Sequence, residues 1–567
     1  MADISEKHVD HHVAEHDEHD HSLDKGQVVA SKVLIGDETF NSAMLKEPPH
    51  PRNWIAIQLY LISVVGFCCS TSNGFDSSLF GNLLSQDNFK EFFSVGSVGI
   101  GAGIVSSMTQ IGGVAALPFI GPAIDTFGRR VGMFIGASII IIGVIIQGTV
   151  VNTNNTSQFM GGRFFMGMGV SIIASAGPCY VVEISHPAYR GIVTGFYNVF
   201  WPVGALVASS ACRGCLSLSG HASWIVPIWL QAMFPGVVFL SAWFLPESPR
   251  WLYTNGKQEQ AKAFLTKYHG NGNPESEWVK LQMWEYEAHL ELDGADKRWW
   301  DYRALFKNRT SRYRLACNCV VSLFGQWAGN GVVSYFLSGV LGTAGITDTT
   351  TQNNLFVAMN AVQCIVSFTG SMFVDKIGRR PLLIWVNVAC SICWIGVTAA
   401  ASIVAPEVAA RAAAKEAKVV YDASGDNKAA SVATVAMIYI FQAVYSFGWT
   451  PLQALYPVEV LSFEMRAKGM AFSNLFVTCG TLVNQFGFPV ALDKIQWKTY
   501  IVFLVWCLVQ AAIIWYFIPE TKNRTLEELD EIFSAKNPRK ASTAKKQIHL
   551  DEHNNVVGVE DSNLNAL

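Results

Sequence analysis

The chain has 567 residues, half of them hydrophobic and only 15% charged, with a formal net charge of −3. Soluble domains carry roughly 25% charged residues, and no basic stretch interleaved with aromatics marks a nucleic-acid surface. Repeated charge-poor windows of about 20 residues, each long enough to cross a hydrocarbon core as a helix, exclude a soluble protein and predict an all-α polytopic membrane protein.

Residues 1–53 read as a polar cytoplasmic tail. The start, "MADISEKHVDHHVAEHDEHDH", holds six histidines among acids and has no apolar core of a signal peptide. Such a tract has the composition of a metal binder as well as of a solvated tail, and the solvated tail is the reading preferred. Apolar spans are predicted near 54–75, 95–120, 131–150, 158–181, 192–212 and 224–245. A polar segment, 246–314, separates them from six more near 315–340, 353–374, 381–404, 431–455, 468–490 and 499–518. Residues 519–567 form a second tail. Cys212 and Cys215 form a C-x-x-C at the end of span 5, but no second pair accompanies them, so neither zinc nor redox chemistry is expected.

Segment 246–314 carries twelve Lys or Arg, whereas the connections 151–157 and 341–352 carry none. The positive-inside rule therefore places both tails and the middle segment in the cytoplasm. Asn154 and Asn155 in "NNTS" offer glycosylation acceptors on the outer side.

Three motifs recur in order in the two halves. "GPAIDTFGRR" (Asp125, Arg129, Arg130) and "SMFVDKIGRR" (Asp375, Arg379, Arg380) follow spans 2 and 8. Glu183 and Arg190 follow span 4 with the same spacing that Glu459 and Arg466 show after span 10. "PESPRW" with Glu247 and "PETKNR" with Glu520 close spans 6 and 12. Duplicated six-span halves are the mark of an alternating-access carrier, and the paired arginines and carboxylates predict a charged latch on the cytoplasmic face. A phosphate-binding G-x-x-x-x-G-K-[ST] loop is absent, as is any nucleophile–base constellation, so neither a primary pump nor an enzyme is expected.

Together with Arg163, Gly167 and Gly169 in R-x-x-x-G-x-G and the run PETKNRTLEEL, these motifs resemble the sugar porter branch of the major facilitator superfamily, over roughly residues 54–533. Within it, "FGQWAGNGVVSYF" and "YPVEVLSFEMRAKGMAFSNLF" look most like the fungal lactose permease and cellodextrin transporter group. The resemblance implies twelve helices in two pseudo-symmetric six-helix bundles, a central sugar site, helices in segment 246–314, and a monomer in the plasma membrane without cofactor or metal. It also implies proton coupling through an acid at Asp76 that pairs with Arg163.

Intramembrane ionisable residues are costly and default to functional candidates, which independently selects the same two residues. The alternative for Asp76 is a solvated position at the end of span 1. A pyranose wants amides beside aromatic faces, so the substrate candidates are Asn198, Trp201, Gln326, Asn330, Tyr335, Trp449, Gln453 and Asn474. Against the hexose-porter pattern, Ala205 replaces a glutamine, Gly331 stands in an altered span 7, and Ala454 replaces a tryptophan. These smaller residues predict a larger cavity suited to a disaccharide or related glycoside taken up with a proton, the lost hydrogen bonds being supplied from elsewhere. The rivals are a facilitator for a monosaccharide or polyol and a sugar sensor.

Overall fold

The computed structural model describes residues 43–44, 46–94, 100–153, 155–293, 304–346, 348–416, 427–461, 466–522, 529, 532–543, 546–550 and 556–561. Asn154 and the histidine tract lie outside them. Ten stretches are long and apolar enough to cross a membrane, and one of these, Phe472–Phe517, runs through two helices. With span 7, whose first helix is too polar and basic to be among them, the described residues hold twelve spans. Span 1 is Trp54–Leu83 and span 2 is Ile100–Gly121, which continues through a π-helical turn, Pro122–Thr126. Spans 3, 4 and 5 are Arg129–Gly148, Thr156–Ile184 and Arg190–Cys215. Spans 8 to 12 are Thr349–Ile377, Arg379–Glu416, Lys428–Val460, Arg466–Ile495 and Thr499–Phe517.

Two spans are each built from two helices. Span 6 is Ala222–Leu230 and Met233–Ser241, and span 7 is Arg309–Trp327 and Asn330–Thr343. In span 7 the chain turns at Gly329, whose φ of +106° favours glycine, and a Cβ there would meet the Trp394 ring at 2.4 Å. A break inside a membrane frees carbonyls that lipid cannot satisfy. Here side chains from other spans answer them. Gln510 Nε2 donates to Phe324 O (3.2 Å), Tyr445 OH to Gly325 O (2.8 Å), Asn484 Nδ2 to Gln326 O (2.7 Å) and Trp394 Nε1 to Ala328 O (3.2 Å).

The observed helices mostly overrun the predicted spans. Span 1 continues to Leu83 because Ser77, Ser78 and Asn82 are buried rather than solvated. Segment 246–314 contains helices at Gln258–Tyr268 and Glu277–Asp293, in the segment where the resemblance implied them. The segment before span 1 is tied to them. Trp278 Nε1 donates to Glu47 O (2.9 Å), and Asn53 Nδ2 to Asn271 Oδ1 (3.0 Å). Trp251 Nε1 donates to Asp125 O (2.8 Å), so the middle segment shares a face with the first charged motif, called here the clasp face. A separate compact unit holds β1 (Lys546–Leu550) paired antiparallel with β2 (Val556–Asp561), a hairpin that the tail assignment did not anticipate.

Glycines set the closest helix crossings. A Cβ on Gly167 of span 4 would lie 1.8 Å from Thr109 O of span 2, and one on Gly74 of span 1 would lie 1.9 Å from Trp201 O of span 5. Small residues let backbones approach where no hydrophobic force drives helices together. Gly167→Val should therefore sharply lower the yield of monodisperse protein in detergent. Gly161→Val, at a position with open space around it, should leave the yield unchanged in the same size-exclusion assay.

Candidate functional site

Both D-x-x-G-R-R motifs fold alike. Gly128 and Gly378 sit at φ +103° and +101°, the turn that starts spans 3 and 9. The free backbone N–H groups of those helix starts then face a carboxylate. Glu247 Oε1 accepts from the backbone N of Arg129 (3.1 Å), Arg130 (3.2 Å) and Ser248 (2.9 Å). Glu520 does the same for Arg379 (2.9 Å) and Arg380 (3.0 Å). A Cβ on Gly128 would stand 2.5 Å from Glu247 Oε2, and one on Gly378 would stand 3.0 Å from Glu520 Oε2. Glycine is thus required twice, by backbone angle and by space.

The first arginine of each pair turns inward to the other carboxylate. Arg129 Nε lies 2.9 Å from Glu183 Oε2, and Arg379 Nη2 lies 2.6 Å from Glu459 Oε1. Ser248 and Thr521, equivalent positions in the two halves, donate their hydroxyls to Glu183 and Glu459. The second arginines bond carbonyls: Arg130 Nη1 to Leu245 O (3.0 Å) and Arg380 Nη2 to Trp515 O (2.6 Å). Asp125 pairs with Arg129 at 3.4 Å. The side chains of Asp375 and Arg466 lie outside the described residues. Glu247 and Glu520 therefore act as helix caps rather than guanidinium partners. The contacts described for these arginines also fall within one half, not between halves as a latch joining the bundles would require.

Arg190 lies beside His186 and His269, whose rings meet edge to face at a centroid distance of 5.2 Å. Burial, reinforced by Arg190, pushes His186 down to about 4; burial, reinforced by His186, pushes His269 down to about 3. Both imidazoles are thereby held in the neutral form at physiological pH, beside the Arg190 charge.

Asp76 lies well inside span 1 and is only 6% exposed, which removes the solvated-helix-end alternative. The direct pairing with Arg163 is not made. Asp76 Oδ1 accepts from Gln231 Nε2 (3.1 Å), at the break in span 6. Arg163, buried, donates Nε to Val105 O (3.2 Å) and holds its guanidinium 4.3 Å above the Phe80 ring. It acts on Asp76 through its field, and Tyr335 is coupled electrostatically to both.

The amide candidates cluster around the break in span 7. Gln326 Oε1 accepts from Thr481 (3.0 Å), while Asn330 Oδ1 accepts from Ser334 (3.0 Å) and Gln442 (3.2 Å). Two candidates bridge the halves: Asn198 Nδ2 reaches Thr450 O (3.4 Å), and Asn474 Nδ2 reaches Ser175 Oγ (2.9 Å). Trp201 is half-buried, but Trp449 is fully buried in the second half's core and so is set back from any open surface. Gln231, Asn360, Gln442, Thr481 and Asn484 were not singled out in the sequence. All but Thr481 are amides inside spans, so the rule that selected Gln326 would have found them.

Residues 62–533 match the family described as "Sugar (and other) transporter". The chain belongs to this family. It is 29% identical over 512 residues to a high-affinity glucose transporter of Kluyveromyces lactis, covering 88% of this chain and 89% of that one. A probable quinate permease of Aspergillus flavus is 27% identical over 550 residues, covering 92% and 96%. Among solved structures, the proton:xylose symporter XylE bound to 6-bromo-6-deoxy-D-glucose has a TM-score of 0.66 at 19% identity, covering 84% of this chain and 99% of that one. That likeness supports the twelve-helix major facilitator fold. Glucose and quinate carriers, rather than lactose or cellodextrin transporters specifically, stand among these relatives.

The departures from the hexose pattern do not leave open space where it can be checked. Ala205 is buried, and its carbonyl accepts from Asn360 Nδ2 (3.2 Å), which also reaches Ser78 and Ser209. A Cβ on Gly331 would meet Asn484 Nδ2 at 3.0 Å, and one on Gly325 would meet the Gln453 amide at 3.1 Å. Polar side chains from spans 8, 10 and 11 thus stand at these three positions.

The two clasp glycines give a direct test of this geometry. Gly378→Ala should cost on the order of 1–3 kcal/mol, since it forces a strained backbone and displaces a helix cap. Thermal unfolding in detergent should show a lower midpoint for Gly128→Ala and Gly378→Ala, and none for Gly161→Ala.

Proposed function

We propose that this carrier takes up a single-ring polyhydroxylated solute, a sugar, together with a proton, by alternating access across the plasma membrane with both tails cytoplasmic. The observation that carries the coupling is Asp76: a carboxyl buried in the membrane body, beside a buried arginine that is not neutralised by direct contact with it. Opening the cavity on one face and then the other changes hydration at Asp76, and so ties proton loading to access. The amides and half-buried aromatics around the span 7 break form the sugar site, as broken helices do in carriers of this kind. The ring size is supported by relatives that carry glucose and quinate, and by Asn484 and Gln453, which stand against Gly331 and Gly325. The clasps act by holding each half as a rigid body while the two rock.

In proteoliposomes with an imposed pH gradient, Asp76→Asn should abolish uphill accumulation of sugar while sparing downhill exchange. Asn keeps size and hydrogen bonding but exchanges no proton. Full accumulation in the variant would sink the coupling assignment.

A second reading, uptake of a disaccharide or related glycoside, is favoured by Ala454, which stands where hexose porters place a tryptophan. Competition uptake separates the two. On the single-ring reading, glucose or another single-ring solute outcompetes cellobiose and lactose, and Ala454→Trp changes that ranking little. On the second reading the disaccharide wins, and Ala454→Trp selectively removes it.

A further inference from the structure

We infer that Gln231 is the positioning partner of Asp76 in both of its protonation states, an assignment that rests on the coupling role of Asp76 proposed above. Span 6 is interrupted at Gln231–Ala232, between helices ending at Leu230 and starting at Met233. Both residues keep right-handed helical angles, and the Gln231 side chain reaches span 1. Gln231 is 4% exposed and donates Nε2–H to Asp76 Oδ1 at 3.1 Å. Its other amide atom, Oε1, is buried and has no hydrogen-bond partner.

An unmet buried carbonyl is costly, and the chemistry of the pair accounts for it. A carboxylate only accepts, whereas a carboxylic acid also donates one O–H. Rotation of the terminal amide by about half a turn exchanges Nε2 and Oε1, and terminal amide torsions are broad and roughly two-fold. With Asp76 ionised, Nε2–H faces it. Once a proton is bound to Asp76, Oε1 accepts the acid's O–H. No bond to carbon changes, and the only transferred species is the proton taken from and returned to water.

The other groups facing Asp76 are suited to a different task. Arg163 of span 4 is fixed by Val105 O and the Phe80 face, and Tyr335 of span 7, an uncharged phenol, reaches Ser77 beside Asp76. Arg163 sets a steady field. Gln231 makes the contact that changes.

A hydrogen bond to a charged acceptor is stronger than one to a neutral group, so removing the amide favours protonated Asp76. In Gln231→Leu and Gln231→Met, the pH at half-maximal proton-driven uptake should rise by about one unit, a tenfold change in proton affinity. Sugar affinity measured by equilibrium binding should stay within about twofold, which also shows that each variant is folded; two apolar replacements guard against one that misfolds. In the Asp76→Asn background, where exchange remains measurable, adding Gln231→Leu should move its pH dependence no further. An unshifted midpoint in both folded single variants would overturn the assignment of Gln231 while leaving Asp76 as the coupling group. A shift that persists in the Asp76→Asn background would also overturn it, because the effect would then not pass through Asp76.

Discussion

Lipid offers a peptide carbonyl no hydrogen bond, and this constraint organises the second half of the molecule. Breaking span 7 between Trp327 and Asn330 exposes the carbonyls of Phe324, Gly325, Gln326 and Ala328. Four spans answer them with one polar side chain each: Trp394, Tyr445, Asn484 and Gln510. An unsatisfied group at such depth costs several kcal/mol, so these residues hold the bundle to the break. The same break presents Gln326 and Asn330 with their side-chain amides free to engage neighbours. Fold and site share one set of hydrogen bonds, and a change at either is felt by both.

The clasps were the most legible feature because each is a local motif whose parts follow from backbone geometry. A glycine at positive φ starts the helix, a carboxylate caps the free amides, and the next residue is an arginine that turns to a second carboxylate. Repetition in two halves made the motif visible. Which carboxylate takes amides and which takes the guanidinium was not legible, since Glu183 and Glu247 are equally acidic in sequence and differ only in where spans 4 and 6 end. The breaks in spans 6 and 7 were missed for a related reason. A hydropathy window averages over two residues of irregular backbone, although Gly325, Gly329 and Gly331 in one span were a signal that helix propensity alone could have read.

Asp76 was found by the cost of burying charge, but its partner was assigned by resemblance. Sequence carries no depth coordinate, so the pairing with Arg163 could not be weighed against a glutamine 155 residues away in the chain. The cavity argument was limited in a similar way. Counting atoms lost at Ala205 and Gly331 says nothing of which neighbour leans in, and Asn360 and Asn484 come from spans that were not compared.

Bond strengths are distributed unevenly between and within the halves. Within each half, on the clasp face, charged and largely buried groups join spans 2, 3, 4 and 6, or 8, 9, 10 and 12, and breaking a buried ion pair by removing one partner costs about 3–5 kcal/mol. Between the halves, away from the clasp face, the described contacts include neutral ones, Asn353 to Ser85 (2.9 Å), Thr349 to Ser85 O (3.3 Å) and Asn360 to Ser78 (3.2 Å), and two with one charged partner, Thr349 to Asp87 (3.4 Å) and Arg213 to Asn354 (2.5 Å). Neutral hydrogen bonds that can be exchanged for water contribute only about 0.5–1.5 kcal/mol each. Among the described residues no ion pair crosses the seam between the bundles, whereas each half has its own on the clasp face, so the seam is the weaker plane. Its Asn360–Ser78 contact falls on the helix that carries Asp76.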